Sequence, residues 1–239
     1  YAIGISGNFA NSGTFTDRSG TVTFNGTGTL TSGGSELYNV TTNGTGTVTL
    51  GDALTIANDL TIGANTTLDA GSNRAISLGG NWSNSGTFTQ ASGTVTFNGS
   101  GAQTISGTNT FYDLTIDNAH NSSKVSANGS SLTVQDDLLV SDGIFESASD
   151  YVDVTISSGA TLELTGSVTV SGDWSNSGTF THNSNTVTFD GGGAQSITSG
   201  GSSFYNLTTA SSSTAITISD NTTVDNNLTI ASGKNSIKI

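Results

Sequence analysis

The chain has no cysteine and no methionine, and only five lysines and arginines among its 239 residues. Without cysteine there is no disulfide framework and no thiolate metal site. Eighteen acidic residues against five bases give a formal charge of −13, which repels nucleic acid and anionic lipid alike. No window carries the apolar spacing of a helix, and no apolar run is long enough to cross a membrane. Charged residues are only 10% of the chain, so solubility rests on hydroxyls, amides and the acidic bias. Scarce lysine with absent cysteine and methionine fits a long-lived exported protein. An opening at Tyr1 reads as a processed form or as part of something longer.

Hydrophobic residues are also scarce, at 32%, a level compatible with disorder. Their arrangement argues against it. Thr21-Val22-Thr23-Phe24, Leu54-Thr55-Ile56, Leu60-Thr61-Ile62, Val168-Thr169-Val170 and Ile216-Thr217-Ile218 alternate with period two. Glycine, asparagine or aspartate breaks each run after a few positions, which is the pattern of short strands joined by tight turns.

The same passage then occurs three times. GNFANSGTFTDRSGTVTFNG (7–26), GNWSNSGTFTQASGTVTFNG (80–99) and GDWSNSGTFTHNSNTVTFDG (172–191) are each followed by an aromatic strand: LYNVTT, FYDLTI and FYNLTT. The cassettes are 7–79, 80–171 and 172–239. A strand of four residues cannot bury a face alone, but stacked coil on coil it forms a continuous core. The chain is therefore expected to be all-β, one continuous parallel β-solenoid over 1–239, right-handed. A Greek-key sandwich or a closed barrel gives no reason for a repeated cassette. The cassette lengths divide most evenly by about 18 residues, which predicts thirteen turns split four, five and four. Equivalent residues should then stack in ladders: Val22/Val95/Val187, Phe15/Phe88/Phe180 and Phe24/Phe97/Phe189. Phe9/Trp82/Trp174 and Tyr38/Tyr112/Tyr205 are further repeated positions, expected at corners.

The cassette (NSGTFT, GTVTFNG, GAQTIS, FYNLTI and NDLTI-type strands) resembles repeats of very large secreted or surface-anchored bacterial proteins of the filamentous-adhesin and autotransporter-passenger type. The resemblance implies an extracellular or cell-surface structural or adhesive role, with cell-surface glycans as partners in the adhesive case. It supplies no catalytic residues and no cofactor.

The chemistry-bearing residues are few. Parallel β-helices do host polysaccharide lyases and hydrolases. Such chemistry needs clustered carboxylates with arginine or lysine to hold an acidic sugar, whereas Arg18 and Arg74 fall in different coils and His120 and His182 in polar turns. No catalytic residue is assigned, and the chain is expected not to be an enzyme. The densest acidic group, Asp136, Asp137, Asp142, Asp150 and Asp153, is the calcium candidate; its alternative is solvated turn carboxylates, and neither an EF-hand loop nor the calcium-binding nonapeptide is present. Asn11/Asn84/Asn176 recur in the NSG turn and are expected to hydrogen-bond along the stack or to their own backbone. Eleven N-x-[ST] tripeptides, including Asn25, Asn43, Asn81, Asn98 and Asn121, permit glycosylation. Thr-x-Thr pairs invite an ice-binding reading, but they occur in several strands of a coil and spread over more than one face.

The ends are the last feature. Joining Ile239 to Tyr1 of another copy completes the third cassette at nearly the length of the first. Tyr1, Ala2, Ile3, Gly4, Ile5 and Ser6 at one end, and Ser236, Ile237, Lys238 and Ile239 at the other, alternate as strands do and do not read as a polar cap. They are the candidate self-association residues of a head-to-tail filament. The competing readings are a stalk segment of a giant adhesin, whose neighbouring turns are covalent, and an ice- or carbohydrate-binding solenoid.

Overall fold

The computed structural model describes residues 1–119, 123–210 and 215–231, and the backbone of 236–238. His120, Asn121 and Ile239 lie outside the described residues, as do the side chains of Ser236, Ile237 and Lys238. Every strand pairing is parallel, and the described residues contain no helix. The chain winds as a single β-solenoid of about eleven turns.

Three faces recur in order around each complete turn. Face one runs through Ala2–Ile5, Thr21–Phe24, Asn39–Thr42, Leu60–Ile62 and Trp82–Asn84 and continues to Thr179–Thr181. Face two begins at Phe9–Ala10 and Gly28–Thr31 and ends at Ser203–Thr209 and Thr223–Ile230. Face three runs from Leu54–Ile56 through Thr94–Phe97, Asp113–Asp117, Asp153–Ile156 and Trp174–Asn176 to Ser236–Lys238. Along each strand the alternation sends apolar residues inward and threonines outward: in Thr21–Phe24, Val22 and Phe24 are buried and the threonines half-buried. The inward residues form one cluster along the axis.

The turns are longer and less uniform than about 18 residues. Partners on neighbouring turns lie as few as 16 residues apart (Leu138 and Val154) and as many as 25 (Asp117 and Asp142). Strand register is held by the inward side chains, so extra residues are taken up at the corners, where they disturb no pairing. The expectation of thirteen turns therefore fails, and the reason is that a cassette is not a whole number of turns. From Val22 the stack passes to Val40, Leu60 and Trp82, and then two faces on to Val95: three turns and two thirds. From Val95 it passes through Leu114, Leu138 and Val154 to Trp174, then two faces on to Val187: four turns and two thirds. Cassette two is one turn longer than cassette one, as their lengths imply.

The fractional step overturns the ladders of identical residues. Val22 lies on face one, Val95 on face three and Val187 on face two. Val22 stacks on Ile3 and Val40 instead of on its cassette equivalents. Each of the three valines is nonetheless buried, because every face turns apolar residues to the same axis.

What each cassette repeats is an aromatic cluster that fills the lumen. Trp82 meets Phe88 edge to face at 4.9 Å and Phe111 at 5.1 Å, and Phe97 closes on Phe111 at 6.5 Å. Trp174, Phe180, Phe204 and Phe189 repeat this arrangement, with Trp174–Phe180 at 4.7 Å and Trp174–Phe204 at 5.4 Å. Phe9 and Phe15 form the corresponding pair at 5.3 Å in cassette one. Such edge-to-face contacts stabilise beyond the area they bury. Tyr38, Tyr112 and Tyr205 each follow a buried core residue (Leu37, Phe111, Phe204) and are themselves half-buried.

Next to each cluster the NSG turn is clamped. Asn84 Nδ2 donates to the Thr108 carbonyl at 2.8 Å on the following turn, while its Oδ1 accepts the Gly86 N–H at 3.0 Å. Asn11 bonds Ser32 and Gly13 in the same way, and Asn176 bonds Ser199 and Gly178. The amides thus bond their own backbone and the next turn, as expected. The close approach needs glycine opposite: a Cβ on Gly107, which has φ +90°, would stand 1.8 Å from the Asn84 carbonyl oxygen.

One difference between clusters is consequential. Asn109 Oδ1 accepts the indole N–H of Trp82 at 2.7 Å. Cassette three has Ser202 at that place, too short to reach, and the buried Trp174 Nε1 has no partner. Ser202→Asn should therefore raise stability by about 1 kcal/mol, and Asn109→Ser should lower it by about 1–3 kcal/mol. Thermal denaturation checks both signs. Phe111→Ala removes a ring touching three others and should cost about 3–5 kcal/mol, against under ~0.5 kcal/mol for the outward Thr55→Ala, measured by the same melts.

Candidate functional site

Two surfaces depart from the general run of threonine, serine and asparagine. The first is a column of aspartates on face three. In most turns an aspartate or asparagine directly precedes the first inward apolar residue: Asn8-Phe9, Asn39-Val40, Asp59-Leu60, Asn81-Trp82, Asp113-Leu114, Asp153-Val154, Asp173-Trp174. Its side-chain oxygen accepts the N–H of the equivalent residue one turn on. Asn39 Oδ1 accepts from Asp59 N at 3.0 Å, Asp59 Oδ1 from Asn81 N at 2.8 Å and Asn81 Oδ1 from Thr104 N at 2.9 Å. On face three, Asp153 Oδ1 accepts from Asp173 N at 2.5 Å and Asp173 Oδ1 from Ser196 N at 2.7 Å. Amide and carboxylate perform the same task, so the column is first a device for holding one turn on another.

Of the calcium candidates, the fold brings Asp137 and Asp153 together as register partners, with Asp136 beside them at the corner. Asp142 pairs instead with Asp117 and accepts the Gly143 N–H, and Asp150 accepts the Thr169 hydroxyl at 2.6 Å. The proposed five are thus split. The register adds Asp113 and Asp173, which the sequence reading did not select; the signal was their shared place before Leu114 and Trp174. Among the described residues no group of three or more histidine, aspartate or glutamate side chains is placed to hold a metal ion. Burial, then the neighbouring Asp136, Asp153 and Asp113, hold the Asp137 carboxyl above its usual range. A hydrogen bond to Asp136 raises the Tyr112 phenol as well.

Lys124 and His182 are engaged elsewhere. Lys124 Nζ bridges Glu146 at 2.6 Å and Glu163 at 2.8 Å across successive turns, and its hydrogen bond holds the Glu163 carboxyl below the usual range. His182 Nε2 and Ser203 Oγ both reach Asp225 Oδ2, at 3.1 and 2.7 Å. Although serine, histidine and aspartate meet, His182 Nδ1 accepts the Ser184 N–H at 3.0 Å, so the Nε2 proton goes to the aspartate. Neither ring nitrogen is left to take a proton from Ser203. The Thr-x-Thr pairs are dispersed: Thr21/Thr23 on face one, Thr94/Thr96 on face three, Thr186/Thr188 on face two. No single face collects them.

The second surface is the two ends. Ile3 is 45% exposed, Leu228 49% and Ile230 50%, and Tyr1 is fully exposed. A shallow apolar groove at the first turn is lined by Tyr1, Ile3, Phe15 and Val22, with Arg18 at its rim. Of the candidate self-association residues, Ala2–Ile5 is a strand paired on one side, with Thr21–Phe24; Ser236–Lys238 pairs with Ala215–Ile218. Set beside known proteins, the chain matches no family model, no curated protein and no solved structure.

The acidic column gives a pH-dependent prediction. Because the folded state holds the Asp137 proton above the ordinary value of 3.8, its contribution favours folding below that pH and is lost as pH rises through the raised value. Asp137→Asn should thus stabilise the fold at pH 7 by about 0.5 kcal/mol, the scale of one like-charged cross-strand contact. The gain should vanish near pH 4 and below, as read by melting temperature across the pH series.

Proposed function

We propose that the chain is a non-catalytic structural protein, an extracellular β-solenoid that stacks head to tail with copies of itself into a fibre. The observation that carries this reading is the distribution of exposed apolar groups. Among the described residues the exposed large hydrophobics are Tyr1, Ile3, Leu228 and Ile230, all in the first and last turns. The sides of the solenoid present threonine, serine, asparagine and aspartate. Strand edges that also expose apolar rows favour pairing with another strand of the same kind. A contact between unlike ends does not close on itself, so it propagates.

The energetics support a stable contact. Each added backbone hydrogen bond contributes about 0.5–1.5 kcal/mol net, and apolar area adds roughly 25 cal/mol per Å2. The resemblance to filamentous-adhesin repeats favours the same placement at a cell surface. In the stalk of a longer adhesin the same ends would meet covalent neighbours, which is the competing reading.

Sedimentation and electron microscopy of the 239-residue chain separate these readings. Fibres one solenoid wide are expected, unchanged between about 0.05 and 1 M salt because few charge pairs hold the contact. Tyr1 and Ile5 turn their carbonyls to the chain's own second turn, so the N–H groups free at the edge are those of the alternate residues. Gly4→Pro with Ser6→Pro removes two of these edge donors and should leave monomers with an intact core spectrum. Wild-type chains that stay monomeric at all salts would overturn self-stacking in favour of the stalk reading.

A further inference from the structure

We infer that the contact between copies is made in one register, already present inside the chain; the inference rests on the end-to-end reading and fixes its geometry. The segment 75–84, AISLGGNWSN, matches 2–11, AIGISGNFAN, position for position. The segment it stacks upon, DALTIANDLTI (52–62), matches DNTTVDNNLTI (220–230). The second match is structural as well as sequential. Asp52 accepts the N–H groups of Ser32 and Gly33 at 2.8 and 2.7 Å, and Asp220 accepts those of Ser199 and Gly200 at 3.0 and 2.7 Å. Asn58 Nδ2 donates to Asn39 at 2.9 Å, and Asn226 Nδ2 donates to Asn206 at 2.9 Å.

Inside the chain these two segments are consecutive turns. Ile56 pairs with Leu78, Leu60 with Trp82 and Ile62 with Asn84. Asp59 Oδ1 accepts the Asn81 N–H at 2.8 Å. Carried to the ends, Val224 of one copy covers Ile5 of the next, Leu228 covers Phe9, and the Asn227 side-chain oxygen accepts the Asn8 N–H. The burial contrast fits. Leu60 and Ile62 are 0% exposed beneath their covering turn, whereas their counterparts Leu228 and Ile230 stand about half exposed.

The rotation agrees independently. Cassettes one and two each advance the motif by whole turns plus two thirds, so a third such advance across the junction returns it to its starting face. Asn227–Ile230 and Phe9–Ala10 both lie on face two, with Val224 before the register shift at the corner that leads from face one, and the copies meet without a twist about the axis. The partner surface is therefore a second copy of this chain, in one rotational setting and one strand register.

The absence of native cysteine makes the register measurable. Ser83 pairs with Thr61 inside the chain, so the outward Ala10 and Thr229 should be direct neighbours between copies. A chain carrying Ala10→Cys and Thr229→Cys, treated with a short thiol-bridging reagent, should give a ladder of covalent multimers on a denaturing gel. The control carries Ala10→Cys and Ala231→Cys, two positions out of register and roughly 7 Å displaced. It should cross-link at least ~10-fold more slowly, since bridging demands close Cβ approach. Equal rates, or faster bridging in the control, would overturn the register. Fibres seen by electron microscopy without bridging in the first variant would overturn the register while leaving end-to-end stacking intact. Chains that neither assemble nor bridge would remove both.

Discussion

Everything in this fold depends on parallel strands staying in register from one turn to the next. A strand of three or four residues holds only one or two inward side chains, and it is stable only while the turns above and below cover them. The chain secures this by repeating one local device. An asparagine or aspartate before the first inward residue reaches across to the next turn's N–H, as Asn39, Asp59 and Asn81 do in succession. The acceptor sits outside the backbone ladder, so a corner of any length can feed into it. That is why turns of 16 and 25 residues coexist without disturbing the core.

The same constraint accounts for the character of the lumen. With strands this short, threonine faces outward almost by default, and bulk must come from a few large side chains. The Trp82 and Trp174 clusters supply it, each with three phenylalanines. Their polar edges are managed case by case, with Asn109 serving Trp82 and nothing serving Trp174. Stability in such an array is a sum over neighbouring turns, so each cluster acts as a local anchor for the weaker turns beside it.

Much of this was legible before any coordinates. Alternation of Val22 and Phe24 with threonine gave the strands, and the threefold GTF–TVTF passage gave a stacked solenoid in place of a sandwich. The turn count was not legible. Lengths alone cannot distinguish whole turns of about 18 residues from fractional counts of longer ones; the faces have to be seen. The identity of stacking partners failed for the same reason: Val22 and Val95 look equivalent in sequence but belong to different faces. The acidic column was half legible. Asp137 and Asp153 stood out by local density, whereas Asp113 and Asp173 join them only through register.

The one-face rotation between cassettes has a mechanical consequence. Bulky aromatics aligned on a single face would widen that side of every fourth or fifth turn and bow the rod toward the opposite side. Here Phe9, Trp82 and Trp174 point inward from faces two, one and three in turn. The wedge each introduces is opposed by the other two, and curvature averages out over the chain. A rod built this way has no easy bending plane: its flexural stiffness is close to equal in all directions about the axis.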